Sequence, residues 1–235
     1  MSEARGRRRQ AADESDAKAR RLFVGVPLPA DAAAEITHVV EAVRAMPLPF
    51  GARDVRWVRL DGLHLTMRYL GPTAADRVAP AMAAVEAAAV AAPGPIDIEL
   101  SGTGTFPSAR RPRTLWIGIS RGHEALVGLA QGTEAALVGA GWEPEPRPFR
   151  AHLTLARSDG VNVGPLVADR LASAMAGRRI TCVIEALGLF ESITGGGPAR
   201  YVPVAIHGLG APAGPSGHVY HQRAPEASGG SPGQT

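Results

Sequence analysis

Apolar residues along this chain fall into short runs, separated by longer stretches where they recur every three or four positions. Leu22-Phe23-Val24-Gly25-Val26, closed by Pro27 and Pro29, predicts a strand. Ile36, Val39, Val40 and Val43 recur at helical spacing and predict a helix from about Asp31 to Met46, stopped by Pro47 and Pro49. Val55 to Val58 and Leu63 to Leu70 read as two strands joined by a hairpin-type turn at Asp61-Gly62. Thr73-Ala74-Ala75-Asp76 has the form of a capping box and opens a second helix to about Ala91, with Val78, Met82 and Val85 as its stripe.

The second half repeats this rhythm. Ile96 to Leu100 and Leu115 to Ile119 predict strands, and His123 to Ala140 predicts a helix with Leu126, Leu129, Thr133 and Leu137 on one stripe. A strand over Phe149 to Ala156, a helix over Gly164 to Met175, and strands over Ile180 to Phe190 and Tyr201 to Ile206 complete the pattern. Gly102-Thr103-Gly104 and Gly195-Gly196-Gly197 read as loops, without the strand–glycine–helix context of a phosphate cradle. Each half holds a helix, a strand carrying His-Leu-Thr, then a helix, which predicts an internal duplication and two similar lobes. Residues 1–19 are polar and aperiodic, and residues 210–235 are rich in Gly, Pro and Ser; both are expected to be disordered tails around a folded unit over 20–209.

Composition narrows the chemistry. Hydrophobic residues make up 45% of the chain and charged residues 20%, ordinary values for a globular protein. No apolar run is long enough to span a membrane and no secretory signal is visible, so a cytoplasmic protein is expected. The net charge is +3, of which the first 20 residues supply +2, so the folded part offers no broad basic face for a duplex. Lys18, in the tail, is the only lysine, which excludes an adenylylated lysine, a Walker-type lysine or a Schiff base inside the fold. Cys182 is the only cysteine and reads as a small core residue, so neither an internal disulfide nor a cysteine-rich zinc site is available. No apolar stripe is left over to demand an obligate protein partner, and a monomer is expected.

The chemistry rests on His64-Leu65-Thr66-Met67 and His152-Leu153-Thr154-Leu155, whose histidines are 88 residues apart. Strand alternation puts each His and Thr on one face with Leu pointing into the core behind them. Two such strands side by side present two imidazoles and two hydroxyls. That set suits phosphodiester cleavage: one imidazole takes a proton from an attacking water and the other gives one to the leaving oxygen. The hydroxyls of Thr66 and Thr154 donate to the non-bridging phosphate oxygens. The same alternation adds Arg68 to the first set and Arg150 to the second as phosphate clamps. Arg157 has the opposite parity and reaches the cleft only if its strand ends or bends there. No metal or other cofactor is needed in this scheme. His38, His123, His207, His218 and His221 have no such partners, and Trp57, Phe23 and Tyr201 read as core residues rather than base-stacking ones.

The paired HLTM and HLTL segments, the opening RLFVGVPLP, the stretches WVRLDGLHLTMRYLG, FPSARRPRTLWIGI and RPFRAHLTLAR, and the closing LFES…ARYVPVA together resemble the two-histidine phosphoesterases. Within them they are similar to the RNA 2′,3′-cyclic phosphodiesterase branch, also called 2′-5′ RNA ligase, over about residues 20–208. The resemblance implies an α+β, bilobal, pseudo-symmetric fold with antiparallel sheets flanking a central cleft and helices outside. It implies hydrolysis of RNA 2′,3′-cyclic phosphate ends to 2′-phosphates, with His64 as proton donor and His152 as proton acceptor. Relatives often have Lys where Arg68 stands, and Arg keeps the charge. Two other readings are a reversible 2′-5′ RNA ligase and a non-catalytic RNA-end binding module.

Overall fold

The computed structural model describes residues 19–50, 55–160 and 162–210. The expectations for the two tails, and for His218 and His221 within the second, lie outside the described residues. Among the described residues, nine strands form one antiparallel sheet: β1 Arg20–Pro27, β2 Arg56–Trp57, β3 His64–Thr73, β4 Ile96–Ser108, β5 Arg111–Arg121, β6 His152–Arg157, β7 Ile180–Ile184, β8 Ala186–Ile193 and β9 Arg200–Gly208. Their order is β7-β4-β5-β6-β3-β1-β8-β9, with β2 added on β6. The same residues form four α-helices: α1 Ala30–Arg44, α2 Ala75–Ala91, α3 His123–Gly139 and α4 Gly164–Met175. The architecture is α+β with two lobes, as expected. The strand order is symmetric about the β6/β3 junction, where Leu65 pairs with Leu153.

One face of the sheet is covered by helices. α2 and α3 pack together over β3, β8 and β9, and α1 and α4 pack together near β4, β5 and β7. The predicted stripes supply the buried faces: Ile36, Val39, Val40 and Val43 on α1, and Leu126, Leu129, Thr133 and Leu137 on α3. α1 leaves β1 in one lobe and packs on the other, and α3 does the reverse, so the two lobes share one core. Leu65 and Leu153 are fully buried at its centre, each stabilising the fold by roughly 2 kcal/mol through burial. Cys182 is also buried, and burial together with the nearby Asp31 carboxylate pushes its thiol up to about 11, so it is an inert core residue.

Several local expectations are overturned. No hairpin joins β2 to β3: Leu60–Gly62 is a 3₁₀ turn, Gly62 lacks the positive φ a tight hairpin needs, and β2 pairs with β6 instead. The capping box does not form, because Thr73 still belongs to β3 and donates its hydroxyl to the Gly71 carbonyl, leaving Ala74 as N-cap. Gly102-Thr103-Gly104 is not a loop but lies inside β4. There Gly102 takes φ +63° at a break in register with β5, and any Cβ on Gly104 would overlap the indole of Trp116. The apolar run from Ile180 to Phe190 is two strands split at Glu185. The first pairs with β4 at one end of the sheet and the second with β1 in the other lobe, an interruption that apolar content alone does not reveal. Among the described residues, no helix is long and apolar enough to cross a membrane.

Candidate active site

The open face of the β3/β6 junction carries the two motifs. With Leu65 opposite Leu153 in an antiparallel pair, His64 stands across from Thr154 and Thr66 across from His152. The leucines point to the buried face, so the two imidazoles and two hydroxyls share the face away from the helices. Long-range pairing thus brings together the four residues that the sequence singles out.

Each imidazole is held in the same way. His64 Nδ1 lies 2.8 Å from the Gly62 carbonyl oxygen, and His152 Nδ1 lies 2.6 Å from that of Arg150. A carbonyl only accepts, so both Nδ1 atoms carry the proton and both Nε2 atoms are left as the reactive nitrogens. The carbonyl comes from residue i−2 in both cases, a second sign of the duplication.

Aromatic rings box in both histidines. Phe23 lies 4.6 Å from His64 between ring centroids, Tyr201 meets it edge-on at 4.7 Å, and Phe190 lies behind at 6.4 Å. Phe106 meets His152 edge-on at 5.0 Å, with Trp116 at 6.1 Å. Two glycines make room for the first box: a Cβ on Gly25 would crowd His64, and one on Gly62 would lie 3.1 Å from the Tyr201 ring. The core reading of Phe23 and Tyr201 therefore misses part of the site. These rings arrive from β1, β8, β9, β4 and β5, which no local pattern links to the histidines.

Burial lowers the His64 imidazole below its ordinary value, with the Gly62 carbonyl opposing the shift. His152 is lowered too, first by burial and then by the charges of Arg157 and Arg150, against the Arg150 carbonyl. Burial raises the Tyr201 phenol, and Arg157 opposes this. Arg157 is thus near enough to act on both His152 and Tyr201.

A bulge explains how Arg157 reaches them. Trp116 pairs with Thr154 and Leu115 with Ala156, so Leu155 is an extra residue on β6. The insertion reverses the alternation and turns Arg157 to the face of His152 and Thr154, with its guanidinium 3.4 Å from the Thr114 hydroxyl. β3 has the matching bulge at Met67, between the Gly25–Thr66 and Val24–Arg68 pairs. There the same reversal has the opposite consequence and corrects the expectation for Arg68. That side chain shares a face with buried Val24 and leaves the histidine face. Its guanidinium, 12% exposed, is held 2.8 Å from both Glu134 and Glu145 and donates to the Glu143 carbonyl at 2.6 Å. Arg150 precedes β6 rather than lying in it. Its guanidinium is 5.0 Å from the centroid of Phe106, on the His152 side of the cleft.

Among the described residues, no three His, Cys, Asp or Glu side chains group together to hold a metal ion. The family model described as the 2'-5' RNA ligase superfamily matches residues 28–196. The chain belongs to that superfamily. An RNA 2',3'-cyclic phosphodiesterase of Geobacillus stearothermophilus is 30% identical over 195 residues, 83% of this chain and 59% of that protein's length. The chain therefore spans less than two thirds of that relative. An RNA 2',3'-cyclic phosphodiesterase of Escherichia coli is 28% identical over 186 residues, covering 78% of this chain and 93% of its own. A phosphoesterase crystal structure superposes with a TM-score of 0.61 at 26% identity, covering 81% of this chain and 98% of that one. The superfamily's fold is thus matched across both lobes.

Proposed function

We propose that this chain hydrolyses RNA 2′,3′-cyclic phosphate ends to 2′-phosphates by metal-independent general acid–base catalysis. The observation that carries the proposal is the pair of imidazoles with both Nδ1–H groups tied to backbone carbonyls and both Nε2 atoms without a hydrogen-bond partner among the described residues. Relatives named RNA 2',3'-cyclic phosphodiesterase point the same way. His152 takes a proton from water as the water oxygen bonds to phosphorus, and His64 gives a proton to O3′ as the P–O3′ bond breaks. Thr66 and Thr154 donate to the non-bridging oxygens, and Arg157 and Arg150 offset the developing negative charge.

The electrostatics support this division of labour. Two guanidinium charges act on His152 and disfavour its imidazolium, which suits a base. Burial is what lowers His64, so an anionic phosphate in the cleft favours its imidazolium, with the proton taken from solvent.

To test the activity, purified protein with EDTA is given an oligoribonucleotide ending in a 2′,3′-cyclic phosphate, and the product end is identified. A 2′-phosphate is expected. A 3′-phosphate, or binding without turnover, counts against the proposal.

The pH dependence follows from the shifts. The working form needs one imidazolium, and in the empty cleft both histidines titrate below the ordinary value of 6.5. The alkaline limb of kcat/KM, which reports the free enzyme, is therefore expected below pH 6.5. Bound phosphate is an anion and favours the charged imidazole, so the alkaline limb of kcat lies at higher pH. Full pH profiles of both constants check this. Coincident limbs, or a kcat/KM limb above the ordinary histidine value, would contradict it.

A further inference from the structure

Arg56 on β2 stands directly opposite Arg157 on β6. Directly opposed residues in an antiparallel pair point to the same face, so both guanidinium-bearing side chains belong to the face of His152 and Thr154. Like charges in this position destabilise a ladder. Some arginines of the fold have carboxylates, as Arg20 has Glu191, Arg59 has Asp61 and Arg179 has Glu99, and others such as Arg77 and Arg170 donate to backbone carbonyls. Arg56 is exposed and has no hydrogen-bond or carboxylate partner among the described residues, and Arg157 has only the hydroxyl of Thr114. Among the described residues, nothing offsets this second cation.

The reacting cyclic phosphate carries a single negative charge, and Arg157 and Arg150 already stand beside His152 to meet it. Arg56 lies one strand beyond Arg157, at the margin of the same face, within reach of a chain that leaves the cleft on that side. We propose that Arg56 binds the phosphodiester group 5′ to the terminal nucleoside, so that the site prefers oligoribonucleotides over mononucleoside cyclic phosphates. This rests on the cyclic-phosphodiesterase reading above and adds a second phosphate subsite to it.

The test compares wild type with Arg56→Ala on three substrates. They are a nucleoside 2′,3′-cyclic phosphate, an oligoribonucleotide with the same end, and that oligonucleotide with an uncharged methylphosphonate at the penultimate linkage. Arg56→Ala is expected to raise KM for the natural oligonucleotide about fivefold, the scale of an exposed charge pair, with kcat unchanged. The mononucleotide is expected to be turned over as by wild type. The methylphosphonate is expected to cost wild type the same factor and the variant nothing further. Arg56→Lys keeps the charge and restores part of the loss. The slope of log KM against log salt for the oligonucleotide is expected to fall by about 0.7 in Arg56→Ala.

Equal losses on mononucleotide and oligonucleotide, or no loss on either, would overturn the proposal, as would a methylphosphonate penalty that survives in the variant. Equilibrium binding of the 2′-phosphate oligonucleotide and its methylphosphonate counterpart reads the Arg56 contact without turnover. If wild type opens no cyclic phosphate, the activity reading fails while the binding comparison still decides the subsite.

Discussion

Replacing His64 or His152 by Ala is expected to lower kcat/KM on a cyclic-phosphate oligonucleotide by about 10²- to 10⁴-fold while the protein stays folded. Each imidazole has one anchored nitrogen and one free nitrogen, so each can move a proton only at Nε2. Neither holds the lobes together. The buried contact at the junction is Leu65 against Leu153, which both variants keep. Thermal unfolding of each variant is therefore expected to remain a single cooperative transition. The double variant is expected to lose little more than the worse single one, because acid and base act in the same step. Turnover within a few-fold of wild type in either single variant would remove that histidine from the reaction.

The second large effect concerns stability. Arg68→Ala is expected to cost about 2–4 kcal/mol of folding free energy at neutral pH, read from urea unfolding. Arg68 ties β3 to Glu134 on α3 and to Glu145 on the segment that enters β6. Its removal leaves both half-buried carboxylates short of one partner. Glu134 also accepts from the Glu145 backbone N–H, so the loss spreads along the segment that ends at the Arg150 carbonyl and His152.

The effect has a pH signature. Hydrogen bonds from Arg147, with help from the Arg68 charge, pull the Glu145 carboxyl from 4.5 down to about 2. A depressed carboxyl contributes stability above its unfolded value and loses it as pH falls through the folded one. Arg147 remains in Arg68→Ala, so wild type and variant are both expected to lose this contribution as pH falls from 4.5 to about 2, and to keep most of their difference. A phosphate clamp at Arg68 predicts the reverse result: unchanged stability and a tenfold to hundredfold loss of activity, as for a charged hydrogen bond of about 1.5–3 kcal/mol.

Much of this molecule is legible in local pattern. The α1 and α3 stripes, the α4 boundaries and the two His-Leu-Thr strands follow from periodicities of 3.6 and 2, which are properties of a few neighbouring residues. The alternation that puts His beside Thr, with Leu behind, holds because those three residues lie before either bulge.

Long-range register decides the rest. Whether a residue is extra in a strand depends on what its partner strand presents, and one extra residue reverses every side chain beyond it. The bulge at Leu155 brings Arg157 into the site, and the bulge at Met67 takes Arg68 out of it, although strict alternation predicts the opposite for both. The partner of β2 and the split of the Ile180 to Phe190 run are settled in the same way, by pairing between distant strands.

By itself the sequence determined that this chain has two similar halves, each presenting one His and one Thr, with no lysine available inside the fold. Only the tertiary structure decided which arginines stand beside them, which nitrogen of each imidazole is free, and which rings strip water from it. Those features depend on backbone carbonyls, bulges and strands from both lobes meeting at Leu65 and Leu153, and contacts between residues far apart in the chain have no local periodicity to announce them.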